Sequence, residues 1–524
     1  MRLGDEAYTN HLYADAVQHY QDALNISSIA PNERSRISEK LAYALSLGRD
    51  PHAASPLFDR ALAAYLNKPA EAEKTIEILM QRARQLWVDA RTKDAIPLLV
   101  QAVEVAEVAE DRRLCIIANS RIAGYLIGLS RYEDAASYLD AIGDIRDVDD
   151  AGTRPIYYTQ RSMLAAASGN VAEALEYFEQ SVKIAIEERD VVGVAHSWVA
   201  YAIWIDILGN IELAKTCYEH ALLIARENHI VWAIPHICSG YAGVLFRSGQ
   251  VRIARDYMLE ALSYNTQVPI SETSFAIAGI PIALHMKDES LLARCTRESA
   301  IDFAFQSGEP DRIAGTAAAF AQWHGIYGRE REAQMLLHRA VEIVSRIDGW
   351  TWDFAVAASR YGMLSEMPRA RALLEARTRL PCSSLAQACI SLFDALVAQR
   401  TGAHTKSHAH ARDAIKRFTS LRWYGYVDLA YTLLPVTAQA TSVVVRDQRP
   451  LLEALPKPLA GSLLALTERE QQVVELVLKG HTNREIAQRL SIREHTVEKH
   501  MGSIMSRLGV RSRHQLVDAV AEPS

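Results

Sequence analysis

Small and large apolar residues recur along the middle of the chain with a period of 40 residues. Gly169, Gly209 and Gly249 are each followed by an alanine, a large residue and a small residue at fixed distances. The resulting triplets are Ala174/Phe178/Ser181, Ala214/Tyr218/Ala221 and Ala254/Met258/Ala261. Positions with this spacing lie on one face of an α-helix, and glycine commonly ends the preceding helix. The pattern therefore predicts helical hairpins with a glycine turn between their two helices.

Fainter copies of the triplet extend the pattern in both directions. They are Ala16/Tyr20/Ala23, Ala54/Phe58/Ala61, Ala95/Leu99/Ala102, Ala135/Leu139/Ile142, Ala333/Leu337/Ala340, Ala370/Leu374 and Ser407/Ala411/Ala414. The spacing requires a further copy near Ala293, where the triplet is barely legible. One hairpin cannot bury its own apolar face, so about ten or eleven of them must stack. We expect an all-α chain in which residues 1–435 form an α-solenoid.

The repeat resembles a known family of helical hairpins. Its order of large, small and glycine residues, followed by A-x-x-x-[FY]-x-x-A, resembles the tetratricopeptide repeat, with a period near 40 instead of 34. Longer repeats of this kind resemble the helical sensor arm of MalT-like bacterial regulators. The resemblance implies that the repeats bind an effector or a partner protein. In the usual geometry of such repeats, the first helix of each pair lines the concave face. That register predicts a ligand site from His196, Trp204, Asp206, His236 and Arg247.

The repeat stops after residue 435, and the composition changes. Residues 436–461 contain Pro450, Pro456 and Pro458, which exclude a long helix and predict a linker. Residues 462–524 contain three capping-box patterns, in which a Ser or Thr precedes a Glu or Gln by three positions. They are Thr467/Glu470, Thr482/Glu485 and Ser512/Gln515. The segment therefore predicts a small domain of four helices at 467–479, 482–490, 494–508 and 512–521, with a three-residue turn between the second and third.

Residues 463–521 resemble the LuxR/GerE-type helix-turn-helix. The matching residues are Leu466-Thr467-x-Arg469-Glu470, Gly480, Asn483-x-Glu485-Ile486-Ala487, Leu490, Thr496-Val497, His500, Ile504 and Leu508-Gly509-Val510. The resemblance implies a transcriptional regulator that reads double-stranded promoter DNA as a dimer, with RNA polymerase as a further partner. The apolar strip formed by Leu516, Val517 and Val520 serves dimerisation in one interpretation and closes the domain core in the other.

The third helix of this domain has two distinct faces. Val497, Met501, Ile504 and Leu508 follow i, i+4, i+7 and i+11 and are expected in the core, while the opposite polar face would enter the major groove. The candidate DNA-binding residues are Asn483, Arg484, His495, Thr496, Glu498, Lys499, Gly502, Ser503, Arg507, Arg511 and Arg513. The resemblance implies base contacts at 498, 499 and 502 and phosphate contacts at 483, 484 and 496. Gly502 departs from the polar residue that is commoner in relatives.

The charge distribution removes one objection to DNA binding. The chain has a formal net charge of −6, but residues 462–524 hold nine of the 57 Lys and Arg and eight of the 63 Asp and Glu, a balance of +1. The remaining residues therefore carry the acidity, at −7. Glu498 can accept a hydrogen bond from cytosine N4 if it faces a base edge. So few cations imply modest affinity for a single domain, which two half-sites would raise.

Other classes of function lack their sequence signals. The six cysteines are scattered without a C-x-x-C pair, which is typical of core residues in a reducing compartment. No signal peptide or membrane span is visible, so we expect a cytoplasmic protein. The sequence has no P-loop, H-E-x-x-H or G-x-S-x-G motif, and it predicts no enzyme activity, cofactor or metal. His404 and His408 have the i, i+4 spacing of a metal pair, but a solvated helix is the better interpretation.

Three hypotheses follow from the sequence. The first is a transcription factor whose repeats sense a ligand or a partner protein. The second is a repeat-based adaptor whose terminal domain mainly dimerises. The third is the remnant or fragment of an ATP-dependent LuxR-type regulator that lacks its ATPase module. DNA binding through Lys499 distinguishes the first two, and binding of ATP would support the third.

Overall fold

The structure is a computed structural model that divides into two compact units, Met1–Val443 and Val444–Ser524. It describes residues 1–9, 13–26, 28–47, 52–65, 71–145, 153–264, 268–344, 352–378, 382–435, 473, 476–477, 483–490 and 494–507. The first unit is called the arm below. The boundary between the units falls within the predicted linker 436–461, which lies outside the described residues.

Helices account for the secondary structure of the described part of the arm. Those before residue 150 are α1 (Arg2–Thr9), α2 (Tyr13–Leu24), α3 (Pro31–Leu47), α4 (Ser55–Tyr65), α5 (Ala72–Val88), α6 (Thr92–Val108), α7 (Arg112–Gly128) and α8 (Tyr132–Ala141). The central ones are α9 (Thr153–Ala167), α10 (Val171–Glu187), α11 (Val191–Ile207), α12 (Ile211–Glu227), α13 (Ile234–Arg247) and α14 (Val251–Ser263). Those that follow are α15 (Pro269–Met286), α16 (Glu289–Cys295), α17 (Ser299–Ser307), α18 (Pro310–Ile326), α19 (Glu330–Val344), α20 (Trp352–Tyr361), α21 (Met367–Arg377), α22 (Ser383–Arg400), α23 (His404–Leu421) and α24 (Tyr424–Tyr431). Short 3₁₀ helices occur at His52–Ala54 and Leu364–Glu366.

The glycine turns of the central hairpins have the geometry that the repeat predicts. Gly169, Gly209 and Gly249 have φ of +82°, +90° and +84°, the left-handed region in which a Cβ atom causes strain. The next residue then donates its backbone N–H to a carbonyl group of the preceding helix. Examples are the bonds from Asn170 to Ala165 at 2.8 Å and from Gln250 to Leu245 at 2.9 Å. These bonds satisfy terminal carbonyl groups of the helix, as in a Schellman motif.

The predicted triplets lie in the hydrophobic core, which confirms the solenoid interpretation. Each position of the three central triplets is buried, with Phe178 the most accessible of the nine at 6%. The fainter copies follow the same rule, and only Ala61 among them is half-buried. Because small residues at the first and third positions allow neighbouring helices to approach, the large residue between them fills the remaining space.

The copy expected near Ala293 does not have the predicted register. Ala293 is exposed, and Leu291, Leu292 and Cys295 are buried in its place. The preceding helix α15 ends at Met286 and is followed by Lys287, which has a left-handed φ of +55°. Asp288 then caps α16 by accepting from the N–H of Leu291 at 3.0 Å. The α16 helix then ends after seven residues, and α17 follows as a separate helix. The repeat is illegible here because its second helix is divided.

Distant repeats of the arm also contact one another. The indole N–H groups of Trp352 and Trp423 donate to the carbonyl groups of Ile207 and Gly209, at 3.1 and 3.2 Å. The hydroxyl group of Thr92 donates to the carboxylate of Glu309 at 2.6 Å, across 217 residues of sequence. These bonds add to the nearest-neighbour stacking that defines a simple solenoid.

The second unit has a small apolar core formed by helices that include α25 (Asn483–Arg489) and α26 (Glu494–Arg507). Its buried residues are Val473, Val477, Ile486, Ala487, Val497, Met501 and Ile504, with Leu476 and Leu490 packed against them. The buried positions of α26 confirm the predicted apolar face at 497, 501 and 504. Leu508, Val474 and the strip at 516, 517 and 520 lie outside the described residues.

Five of the six cysteines are buried and Cys115 is half-buried, in keeping with their interpretation as small core residues. In the portion of the chain that the structure describes, no helix combines the length and the apolar character needed to cross a membrane.

Candidate functional site

Helix α26 presents a polar face opposite its buried one. The side chains of His495 and Lys499 are exposed, Gly502 is exposed, and Thr496 is half-buried. Three positions of the helix, 497, 501 and 504, anchor it in the core, so its orientation within the domain is fixed by apolar packing. The structure thus brings His495, Lys499 and Gly502 to the solvent side of one helix, as the sequence predicts.

The remaining DNA-binding candidates are described to different degrees. Asn483 is half-buried at the first position of α25. Arg484 belongs to α25, and Glu498, Ser503 and Arg507 belong to α26, as positions on those helices. Arg511 and Arg513 lie outside the described residues. The proposed phosphate contacts of these residues stay predictions.

Gly502 leaves open space on the exposed side of α26. A Cβ atom placed on it would meet no heavy atom within 4 Å. Glycine is therefore not required there by packing, and it lowers the helix propensity of this position by roughly 1 kcal/mol relative to alanine.

The five ligand-site candidates of the arm separate into two groups. Asp206 and Arg247 form an ion pair with each other, and the guanidinium group of Arg247 also lies 3.8 Å from Asp353 and 5.7 Å from the ring centroid of Trp423. Trp204 is buried, and its ring packs edge-on against Tyr132. The two charges are thus paired with each other between successive hairpins, although Oδ1 of Asp206 has no hydrogen-bond partner among the described residues.

The two histidines form the other group. His196 lies on α11 and is exposed, whereas His236 on α13 is half-buried and its ring meets that of Trp87 edge-on at 6.4 Å. Burial and the charge of Arg312 lower the pKa of His236 to about 4, so its imidazole is neutral near pH 7. The surrounding protein and the charge of Arg121 also lower the pKa of His196, to about 4. The region around these histidines therefore holds arginine side chains, with Arg312 in electrostatic range of His236 and Arg121 in range of His196.

That region contains two arginines that the sequence interpretation missed. Arg84 on α5 is half-buried and Arg121 on α7 is exposed, and both belong to the first helix of their hairpins. The guanidinium carbon of Arg84 lies 4.8 Å from the ring centroid of Trp232. The sequence does carry one signal of unpaired cations: neither arginine has an acidic residue three or four positions away on its own helix. The proximity of Trp232 and His236 to α5 had no such signal.

Metal ligation has no support in the described residues. Among them, no group of three or more His, Cys, Asp and Glu side chains is arranged to hold a metal ion. His404 is exposed and His408 is half-buried on α23, consistent with a solvated helix face.

Comparison with known proteins identifies the C-terminal segment. Residues 464–520 match the model of the family described as "Bacterial regulatory proteins, luxR family". The oxygen regulatory protein NreC of Staphylococcus aureus is 42% identical over 53 residues, which are 10% of this chain and 24% of NreC. The chain thus spans about a quarter of the length of the curated relatives that it matches. A LuxR-type helix-turn-helix domain is present at 464–520.

Solved structures with a similar helical architecture match larger parts of the chain at low sequence identity. A Rap protein complexed with Competence and Sporulation Factor is 13% identical and covers 66% of this chain and 96% of its own, with a TM-score of 0.46. The apo form of RapI is 14% identical and covers 50% of this chain and 94% of its own, with a TM-score of 0.40. The apo quorum sensor NprR from B. thuringiensis is 11% identical and covers 77% and 98%, with a TM-score of 0.30.

Proposed function

We propose, from the LuxR-type domain at residues 464–520, that the chain is a DNA-binding transcriptional regulator whose repeat arm senses a ligand or a partner protein. Helix α26 enters the major groove with Lys499 on its leading face. Asn483 and Arg484 at the start of α25 contact the phosphate backbone. The protein acts where the chromosome is, in the cytoplasm of a bacterial cell.

One observation carries this proposal. The family match and the polar face of α26 coincide on the same helix, and Val497, Met501 and Ile504 of that helix are buried in the core of its own domain. Lys499 is exposed on that face and forms no ion pair with another described residue. An exposed cation on a helix of this type is suited to a guanine edge or a phosphate group.

Dimerisation belongs to the proposal because the domain carries little positive charge. A balance of +1 for residues 462–524 permits few phosphate contacts by one domain. Two domains on adjacent half-sites would double those contacts, and RNA polymerase would then be recruited beside them. We expect binding cooperativity on DNA that contains two half-sites and much weaker binding on a single half-site.

The test begins with the full-length protein and fragmented genomic DNA. Bound fragments are sequenced to obtain the preferred site, which then serves as the probe in a gel-shift titration. Lys499→Ala should weaken binding by about tenfold or more, equivalent to the 1–3 kcal/mol of one good base contact, and should reduce the dependence on salt. Arg489→Ala removes an equally exposed cation from the far end of α25 and is the matched control.

Two outcomes would contradict the proposal. If no sequence is enriched, the adaptor hypothesis is favoured, and the partner should then be sought on the arm. If a site is found but Lys499→Ala binds it as well as the parent protein, reading by α26 is wrong. Binding of ATP in calorimetry would instead favour the third hypothesis, the remnant of an ATP-dependent regulator, although the sequence contains no P-loop.

A further inference from the structure

Two arginines of the arm, Arg84 and Arg121, lie on helices α5 and α7, which pack against each other. Arg121 is close enough to Arg84 to lower the pKa of its guanidinium group, although burial contributes more. Neither arginine forms a hydrogen bond or an ion pair with another residue in the described ranges. Arg121 is nevertheless exposed, so a solute can reach it. Arg84 is less accessible, since it is half-buried with its guanidinium group beside the Trp232 ring.

The acidic residues of this region are already engaged. The Asp190 carboxylate lies within electrostatic range of Arg121, but it accepts from the N–H of Gly193 at 2.8 Å as the cap of α11. The Glu309 carboxylate accepts from Thr92 at 2.6 Å and from Arg312 at 2.7 Å. The charge of Asp190 therefore acts on Arg121 without a direct bond, and neither acid forms an ion pair with Arg84 or Arg121, in contrast to the direct pair of Asp206 and Arg247.

Aromatic groups complete the surroundings of the two cations. Tyr125 lies within electrostatic range of both guanidinium groups, and burial raises the pKa of its hydroxyl group, which therefore stays a neutral donor. Tyr8 also reaches Arg84 electrostatically, and the Trp232 ring lies over it. Aromatic faces stabilise a cation but do not neutralise it. A partly desolvated positive charge remains, and such a charge favours a counter-ion.

We propose that Arg84 and Arg121, with the hydroxyl group of Tyr125, form a binding site for an oxyanion, a carboxylate or phosphate group carried by the ligand that the arm senses. This site is called the arginine site. The planar fork of a guanidinium group donates two parallel hydrogen bonds to such a group. The neutral imidazole of His196, which lies within range of Arg121, borders the site. The inference rests on the proposed sensing function, but it is tested without DNA.

The arm also contains a matched control for this arrangement. Arg329 is half-buried, and its guanidinium carbon lies 3.9 Å from the ring centroid of Trp323, so it shares the tryptophan contact of Arg84. It differs in its surroundings: the tyrosine hydroxyl group within its electrostatic range, that of Tyr327, donates to the carboxylate of Glu289, and the acidic residue Glu332 follows three positions along the chain. If stacking on tryptophan were enough to attract an anion, both arginines would bind one.

The experiment is isothermal titration calorimetry on the full-length protein at constant ionic strength, with pyrophosphate and citrate as the two probes. We expect at least one probe to bind with a Kd below about 1 mM. Arg84→Gln and Arg121→Gln should each weaken that binding by about tenfold or more, because each removes charge-assisted hydrogen bonds. Arg329→Gln should leave it unchanged. Binding of citrate alone identifies a carboxylate ligand, and binding of pyrophosphate alone identifies a phosphate ligand.

Folding and DNA binding are measured on the same samples. Arg121 is exposed, so its variant should keep the parent circular dichroism spectrum even if that of Arg84 does not. The proposal is overturned if neither probe binds the parent protein, or if the Arg329 variant loses as much affinity as the Arg121 variant. Because the arginine site is assayed without DNA, a failure here leaves the gel-shift result unaffected, and the reverse also holds.

Discussion

Replacing Gly209 with alanine tests the contact between distant repeats of the arm. Gly209 has φ +90°, and a Cβ atom on it would lie 2.9 Å from Cδ2 and 3.2 Å from Cβ of Leu385 on α22. Its carbonyl group also accepts the indole N–H of Trp423. The substitution therefore adds backbone strain and a steric clash at the same atom.

Gly328 separates these two effects. It occupies the equivalent turn between α18 and α19 with φ +74°, but a Cβ atom there would meet nothing within 4 Å. Gly328→Ala should thus cost about 1 kcal/mol, from left-handed strain alone. Gly209→Ala should cost about 2–4 kcal/mol, because overpacking against Leu385 adds roughly 1–3 kcal/mol.

Hydrogen exchange followed by mass spectrometry measures where each cost appears. Gly209→Ala should accelerate exchange in peptides from the turn itself and from α22, although α22 lies more than 170 residues further along the chain. Gly328→Ala should affect only peptides of its own hairpin. The prediction is refuted if α22 exchanges at the same rate in both variants, because the methyl group added at position 209 would then not disturb Leu385.

Three further substitutions have predicted outcomes. Gly502→Ala should stabilise α26 by about 0.5–1 kcal/mol, seen as slower exchange of its amides, and should change the DNA sequence preference at one position if this face reads bases. Arg247→Ala should destabilise the arm by about 3–5 kcal/mol in a thermal melt, because it leaves Asp206 unpaired. Arg226→Ala breaks the more exposed pair with Glu260 and should cost about 1 kcal/mol or less. Ser130→Gly should raise the melting temperature by relieving a left-handed residue at φ +57°, worth about 1 kcal/mol, and an unchanged melting temperature would contradict that reason.

Local pattern predicted most of the helices and the small core of the second unit. The triplet rule placed Ala214, Tyr218 and Ala221 in the core because helical spacing alone determines which face is apolar. It also predicted the glycine turn at Gly169, which has φ +82° in the structure. The same rule failed near Ala293, since a divided helix changes the register without changing the composition of the segment.

Contacts between distant repeats could not be predicted in this way. The bond from Trp423 to Gly209 joins residues 214 positions apart, and no periodicity relates them. The ion pair between Asp206 and Arg247, two of the predicted ligand-site residues, could not be predicted either. Their inward register was inferred, but their mutual ion pair depends on side-chain geometry between successive hairpins. Arg84 was missed because its neighbours Tyr8 and Trp232 come from opposite sides of the sequence.

The long-range bonds also determine how far an effect at the arginine site should spread. In a solenoid that is stabilised by nearest neighbours alone, a ligand on α5 and α7 would protect only the hairpins beside them. Here Thr92, at the start of α6, is bonded to Glu309, which precedes α18 and also holds Arg312. A ligand present at one hundred times its Kd stabilises the bound state by about 2.7 kcal/mol. That free energy should therefore slow hydrogen exchange in α18 as well as in α5 and α7. Protection confined to the hairpins of α5 and α7 would show that the bond between Thr92 and Glu309 does not couple them to α18.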